Sequence, residues 1–186
     1  MNSSNHGNWR LRTARETDVP ALEKLIPLSV RTLQAAHYSP AQMEAALGPV
    51  FGVDRQLIRD ETYFVAEDEG QIAGCGGWSK RKSLFGSDGG RGESENLMLD
   101  PARDAARIRA FFVHPDWARR GIGRAILLAC ENGILQAGFR RIELVATLAG
   151  EPLYASHNYR VMERFDITLA HGLGLPAVRM FKVLAV

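Results

Sequence analysis

The chain has 186 residues, of which 46% are hydrophobic and 24% charged, as in a soluble globular protein long enough to bury a hydrophobic core. Its 23 basic and 21 acidic residues leave a net charge of +2, which argues against a general nucleic-acid binder because such proteins present a strongly basic face. The two cysteines and five scattered histidines form neither a disulfide framework nor a metal-ligand pattern, so we expect no bound metal.

The N-terminal segment shows no targeting signal. Residues 1–10 lack the apolar run of a signal peptide, and no stretch approaches the ~20 apolar residues that span a bilayer. We therefore expect one domain over residues 1–186, in the cytoplasm, with residues 1–7 flexible and with no membrane or nucleic-acid partner.

The first 60 residues predict one strand followed by helices. Residues 9–15 alternate like a strand, and a helix then begins at Thr17 or Asp18, with apolar side chains recurring at helical spacing. Residues 39–47 predict a second helix, and residues 53–59 predict a further helical turn or two.

A hairpin and a long loop follow. Residues 62–66 and 72–78 are rich in β-forming residues, and the turn sequence Asp-Glu-Gly-Gln stands between them. Residues 79–105 are rich in Gly, Ser, Asp and Arg, and loops beyond about 12–15 residues in a compact domain are usually functional or disordered. This loop either closes over a ligand or is a solvated insertion.

The second half predicts further strands and helices in alternation. Residues 106–113 alternate and then become wholly apolar, which is typical of a central strand. Residues 121–137 predict a long helix with one apolar face, ended by a glycine. The remaining elements are a strand at 141–147, a short helix at 150–158, and a closing antiparallel pair at 159–169 and 177–186. The order indicates an α/β chain with a mixed sheet and helices on its faces.

The start of the long helix has the features of an anion site. Gly121 and Gly123 let the backbone approach a ligand closely, and the first helical turn offers free N–H groups at the positive end of the helix dipole. Arg119, Arg120 and Arg124 add positive charge at the same place. A phosphate or pyrophosphate would bind there.

Two common nucleotide motifs do not account for this segment. The chain contains no Gly-x-x-x-x-Gly-Lys-Ser/Thr string, and Gly121-Ile122-Gly123 lacks the third glycine of the dinucleotide fingerprint. Arg120 to Ala125 (RGIGRA) instead resembles the Arg/Gln-x-x-Gly-x-Gly/Ala signature of the GNAT superfamily of N-acetyltransferases. Val113-His114-Pro115 stands where that family has a Val-x-Pro, and the element order is similar over most of the chain.

The resemblance implies a fold and an activity. The fold would be a mixed, mostly antiparallel twisted sheet of about six or seven strands with helices on both faces. The activity would be transfer of an acetyl group from acetyl-CoA to a primary amine, by direct attack in a ternary complex, with CoA as product. The alternative is a non-catalytic acyl-CoA-binding sensor or interaction module of the same fold.

The resemblance also implies cofactor-binding residues. The amides of Gly121, Ile122, Gly123 and Arg124 would bind the CoA pyrophosphate, helped by the neighbouring arginines. The strand end formed by Phe111, Phe112 and Val113 would pair with the pantetheine arm, in the gap where this strand separates from the next.

Catalytic candidates follow from the same resemblance. Leu153 to Tyr159 resembles a family motif that carries a tyrosine, so Tyr154 is the candidate general acid; the alternative is a tyrosine packed on the sheet. Glu143 and Asp104 are candidate bases, and a water chain could serve instead. The family pattern is broken at Asn158, where glycine is usual, and at Thr147, where an asparagine often contacts CoA.

The acceptor is left open. The segments 33–47, 79–105 and 171–176, which shape the acceptor site in the family, mix charges of both signs. A small-molecule amine, an amino acid and a protein N-terminus or lysine all remain possible. A homodimer through the terminal hairpin is a further expectation.

Overall fold

The structure, a computed structural model, describes residues 9–84 and 97–185. Within these residues seven strands form a sheet in the order β1-β2-β3-β4-β5-β7-β6. Their bounds are β1 (Arg10–Thr13), β2 (Tyr63–Asp68), β3 (Gln71–Ser79), β4 (Ala106–Val113), β5 (Arg141–Thr147), β6 (Arg160–Thr168) and β7 (Gly174–Val183). All neighbours pair antiparallel except β4 and β5, which are parallel. The mixed, mostly antiparallel sheet expected from the sequence is confirmed.

Helices α1 (Val19–Leu33), α2 (Pro40–Ala46), α3 (Arg55–Arg59), α4 (Ile122–Gln136) and α5 (Glu151–Ala155) surround the sheet. Ser39 begins α2 with a capping box, since its Oγ accepts from Gln42 N at 3.2 Å while its own N–H donates to the Gln42 side chain at 2.9 Å. Asp18 precedes α1, but its carboxylate accepts from Arg15 N instead of capping α1.

The core lies in two layers, one on each face of the sheet. Successive strand residues point to opposite faces. Val65 accordingly packs with α1, α2 and α3, whereas the adjacent Ala66 packs with α4. The apolar stripe predicted on the long helix is buried in the second layer; it consists of Ile122, Ile126, Cys130 and Ile134.

Several predicted boundaries differ from the structure. The strand β7 begins at Gly174, three residues earlier than predicted, because Pro176 pairs with Asp166 inside the ladder instead of ending it. The helix α5 has five residues, and the chain after it turns through Asn158 in the left-handed conformation (φ 67°). Asparagine tolerates this conformation better than most residues, so it can stand where the family has glycine.

The two described ends of the long loop are tied together. Lys82 N donates to Leu97 O at 3.1 Å, and Leu99 N donates to Lys80 O at 2.8 Å. The predictions about the middle of this loop and about residues 1–7 lie outside the described residues. Among the described residues, no helix is long and apolar enough to cross a membrane, and no cluster of His, Cys, Asp and Glu side chains could hold a metal ion.

Candidate functional site

Strands β4 and β5 separate to leave a gap in the sheet. The parallel ladder joins only Ala106–Ile108 to Ile142–Leu144, after which the two strands diverge. Each strand is still paired on its other side, β4 with β3 as far as Val113 and β5 with β7 as far as Thr147. The gap is therefore held open by the rest of the sheet, and it contains a cavity of about 580 Å³.

A β-bulge in β4 lies beside this cavity. The β3–β4 register shifts between Cys75 and Gly77, and Ala110 adopts a left-handed conformation (φ 60°). Such a conformation costs a non-glycine residue roughly 1–3 kcal/mol. Tyr63, which is fully buried, donates from its hydroxyl to the Ala110 carbonyl at 3.2 Å and holds the bulge in place. The sequence carries no signal for it, since alanine is not typical of this conformation.

Two glycines of β3 admit the side chains that shape the cavity floor. A Cβ on Gly76 would lie 2.5 Å from Phe111 Cδ2, and a Cβ on Gly74 would lie 2.7 Å from Ile122 Cγ2. Both separations are far inside van der Waals contact. The glycines were visible in the sequence, but the partners that require them come from distant segments.

The turn before α4 has the geometry of an anion cradle. Gly121 is left-handed (φ 83°), and the first hydrogen bond after it runs from Ala125 N to Gly121 O at 3.0 Å. The amides before Ala125 are therefore left without helical acceptors. Gly121, Ile122, Gly123 and Arg124 all line the cavity. A Cβ on Gly123 would lie 3.2 Å from Leu153 Cδ2, so a larger residue would narrow the cradle.

The three arginines of this turn are exposed, but they are not equivalent. Arg119 and Arg124 line the cavity, whereas Arg120 does not. Arg119 has a left-handed backbone (φ 63°), so the chain turns sharply before the helix. The free amides and the flanking guanidinium groups fit a pyrophosphate.

The strand residues predicted to bind the cofactor lie at the same cavity. Phe111, Phe112 and Val113 all line it, beyond the last residue of β4 that pairs with β5. This edge of β4 is open to an extended ligand that pairs like an added strand.

Tyr154 also lines the cavity and is almost fully buried. Its ring packs edge-on against Phe111, with centroids 6.0 Å apart, and against Tyr159 at 5.7 Å. Burial, together with the nearby Cys130, raises the pKa of Tyr154, so its hydroxyl keeps its proton. No described residue forms a hydrogen bond with this hydroxyl.

The structure brings neither candidate base to the cavity. Glu143 lies where β4 and β5 still pair, and its Oε2 accepts from Arg107 at 2.6 Å and from Arg179 at 2.8 Å. Asp104 precedes β4 and accepts from Asp100 N at 2.7 Å. Neither side chain is among the described residues that line the cavity. Both carboxylates bind groups of the protein outside the cavity, Glu143 through remote residues and Asp104 through a near neighbour.

Comparison with known proteins identifies the family. No match was found among curated protein sequences. The family model described as an acetyltransferase (GNAT) domain matches residues 59–161, more than half of the chain. The chain belongs to the GNAT acetyltransferase family. The matched segment contains the whole cradle, the bulge and Tyr154.

Solved structures show the same GNAT fold over nearly the full length. A GCN5-related N-acetyltransferase from Rhodopseudomonas palustris matches with a TM-score of 0.71 and 19% identity, covering 96% of this chain and 98% of the other. The PaiA N-acetyltransferase from Thermoplasma acidophilum, in complex with coenzyme A, matches with a TM-score of 0.61 and 13% identity, covering 94% and 98%. A ribosomal-protein-alanine N-acetyltransferase from Brucella melitensis matches with a TM-score of 0.62 and 19% identity, covering 94% and 99%.

Proposed function

We propose that this GNAT protein transfers an acetyl group from acetyl-CoA to a primary amine, by direct attack of the amine in a ternary complex. The observation that carries the proposal is the continuity of one cavity. The glycines and arginines of the cradle and the hydroxyl-bearing Tyr154 line the same space. The structural likeness to PaiA, which was solved with coenzyme A, supports the choice of cofactor.

The residues that would hold acetyl-CoA follow the cavity from the cradle inward. The amides of residues 121–124, with Arg119 and Arg124, would bind the pyrophosphate. The open edge of β4 at Phe111–Val113 would pair with the amides of the pantetheine arm. When bound, acetyl-CoA supplies an acetyl group activated as a thioester.

Tyr154 is the proposed proton donor to the departing sulfur. Because burial raises its pKa, the phenol stays protonated across the neutral and mildly alkaline range. Its hydroxyl has no competing hydrogen bond among the described residues, so it remains available for the sulfur. The hydroxyl is therefore suited to act as a general acid.

The amine is proposed to lose its proton without a carboxylate base. The described residues that line the cavity include neither a carboxylate nor a histidine. Much of the lining is apolar, and desolvation lowers the pKa of an entering ammonium group. The neutral amine can then attack, and solvent accepts the proton.

Two measurements test the proposal together. The melting temperature of the purified protein is recorded with acetyl-CoA, CoA or ATP, and CoA release is followed while a mixture of primary amines is screened by mass spectrometry for acetylated products. Stabilisation of about 2.7 kcal/mol is expected at a hundred times the dissociation constant of either CoA species, and none with ATP. Absence of any shift with both CoA species would overturn the proposal.

A matched pair of variants locates the binding site. Gly123→Glu places a carboxylate inside the cradle, whereas Asn132→Glu adds the same charge to an exposed position of α4. Only the first should abolish the CoA-dependent shift while the protein stays folded. Retained binding but no acetylated product with any amine would instead favour the non-catalytic acyl-CoA-binding module.

A further inference from the structure

The cavity extends away from the cradle into a second region between α1 and the β6–β7 hairpin. This region, which we name the acceptor pocket, is bounded by Gln34 and Tyr38 after α1, by Phe51 after α2, and by Ile167 and Leu175 from the hairpin. Most of these groups are apolar, and four of the five belong to the buried core on that face of the sheet. The walls therefore favour an apolar ligand.

The one described charge at this pocket is already neutralised. Arg109 lies on β4 next to the bulge, and its Nε is 2.9 Å from Asp54 Oδ2, with side chains 3% and 0% exposed. Arg109 also donates from Nη1 to Ser83 O at 3.1 Å. A buried and paired guanidinium leaves no net charge for a charged ligand to meet.

The hydroxyl of Tyr38 is likewise occupied. It donates to Pro176 O at 2.7 Å and accepts from Leu148 N at 2.9 Å. These bonds join the segment after α1 to β7 and to the end of β5. Tyr38 therefore shapes the pocket but has little hydrogen-bonding capacity left for a ligand.

Gln34 has a buried polar atom whose hydrogen-bonding capacity the described fold does not satisfy. It is 7% exposed and lines the cavity, and its Oε1 is buried without a hydrogen-bond partner. Buried polar atoms in native proteins nearly always have partners, so an unpaired one at a cavity calls for a ligand. This oxygen is a hydrogen-bond acceptor, so Gln34 can accept from an N–H group in the pocket.

We propose that the acceptor pocket binds a small primary amine with an apolar, uncharged body, and that Gln34 accepts a hydrogen bond from the amine. The proposal rests on the acetyl transfer proposed above and names its substrate class. A second charge on the acceptor would be buried among apolar groups without a partner, which is costly. Polyamines, amino acids and lysine-bearing peptides are therefore disfavoured.

Three amines of equal length test the substrate class. All three have a six-carbon chain, whose far carbon is a methyl group in hexylamine, carries an ammonium in 1,6-diaminohexane and is a carboxylate in 6-aminohexanoate. The kcat/KM of each is measured at saturating acetyl-CoA, and the Kd of each for the protein–CoA complex is measured by calorimetry. The kcat/KM of hexylamine should exceed that of both other amines by about tenfold or more, which corresponds to a preference of about 1.4 kcal/mol. A kcat/KM for either charged amine equal to or above that of hexylamine would overturn the proposal.

Variants at Gln34 test its role. Gln34→Met keeps the length of the side chain and removes its hydrogen-bonding groups, so the kcat/KM for hexylamine should fall about tenfold, with the Kd of acetyl-CoA unchanged. Gln71→Met makes the same change at an exposed position outside the cavity and should have no effect. Gln34→Glu, which retains the shape of glutamine, should weaken the preference for hexylamine over 1,6-diaminohexane. Unchanged kinetics in both Gln34 variants would contradict the assignment.

The failure of this inference can be told apart from the failure of the proposed function. If acetyl-CoA binds and charged amines are the better acceptors, the proposed acetyl transfer is supported and the proposed substrate class is wrong. If none of the amines is acetylated but hexylamine binds the CoA complex in a Gln34-dependent way, the pocket stands and the transfer is wrong.

Discussion

The ring of Tyr154 packs edge-on against Phe111, with centroids 6.0 Å apart, although the two residues belong to opposite sides of the gap between β4 and β5. Phe111 is itself seated over Gly76, where no Cβ would fit. The position of the proposed acid is thus set by the bulged strand across the gap, and it is not set by α5 alone.

Tyr154→Phe should lower kcat by about a hundredfold or more, the contribution expected of a positioned general acid. The melting temperature and the Kd of acetyl-CoA should stay close to wild type, because the hydroxyl has no hydrogen bond among the described residues. Steady-state kinetics with the best amine, beside thermal melts, provide the check. A kcat within about threefold of wild type would assign the tyrosine to packing.

The pH dependence of kcat tests independently whether Tyr154 acts as the proton donor. Burial raises its pKa above the ordinary value of about 10, so the protonated donor persists through that pH. Any alkaline loss of activity that comes from Tyr154 should therefore begin above pH ~10. A loss near pH 8 that disappears in Tyr154→Phe would contradict this assignment.

Tyr63→Phe should destabilise the protein by about 1–2 kcal/mol, because the Ala110 carbonyl loses a buried donor. The bulge should then relax, so kcat should fall while the Kd of CoA changes little. Urea unfolding and steady-state kinetics measure the two effects. An unchanged kcat in a folded variant would show that the bulge keeps its shape without the hydrogen bond from Tyr63.

The double variant Arg119→Ala/Arg124→Ala should weaken acetyl-CoA binding about tenfold at low ionic strength, with a smaller effect in high salt because exposed charges are screened. Arg103→Ala/Arg160→Ala removes the same charge from exposed positions away from the cavity; the side chain of Arg103 is 87% exposed. Calorimetric titrations at two salt concentrations compare the pairs. Equal weakening in both would point to net charge rather than to the cradle.

Glu131 supports the back of the site through a buried cluster. Its Oε1 accepts from Tyr159 at 3.0 Å and from Lys182 at 2.7 Å, and Tyr159 packs on Tyr154. Glu131→Leu should lower the free energy of unfolding by about 3 kcal/mol, because it leaves the half-buried ammonium of Lys182 without its partner, whereas adding Lys182→Met should recover much of the loss. Urea unfolding of both single variants and of the double variant gives a double-mutant cycle for Glu131 and Lys182. Additive losses in the free energy of unfolding would show that the two side chains do not interact.

Asp18 should make stability depend on acid pH. Two hydrogen bonds from Arg12, at 2.7 and 2.8 Å, lower the pKa of Asp18 below its usual value, with a further contribution from Arg15 N. The stabilisation is therefore complete above the unfolded pKa of about 3.9 and is lost as the pH falls through the folded value. Asp18→Asn should cost about 2 kcal/mol at pH 7 and progressively less below pH ~4. Urea unfolding measures the difference in free energy of unfolding between wild type and Asp18→Asn. A difference that stays constant across this pH range would contradict the assignment.

Local patterns in the sequence were sufficient for the elements that depend on near neighbours. The stripe of Ile122, Ile126 and Ile134 repeats with the helical period, so its burial followed from spacing alone. The two glycines at the start of α4 and their arginines predicted an anion site there, because free amides at a helix start are a local property. Neighbouring residues alone predict such features.

Contacts between distant segments decided the rest. Glu143 stood next to the expected gap in the sequence, but Arg107 and Arg179 bind its carboxylate where the strands still pair. The bulge at Ala110 depends on a tyrosine 47 positions earlier, and Gln34 lines the cavity only because α1 packs against the sheet beside the open end of β4. The sequence by itself determined which segments become strands and helices, and it predicted an anion site at the start of α4. The tertiary structure decided which side chains face the cavity and which are neutralised by partners, because pairing and desolvation arise only when remote residues meet.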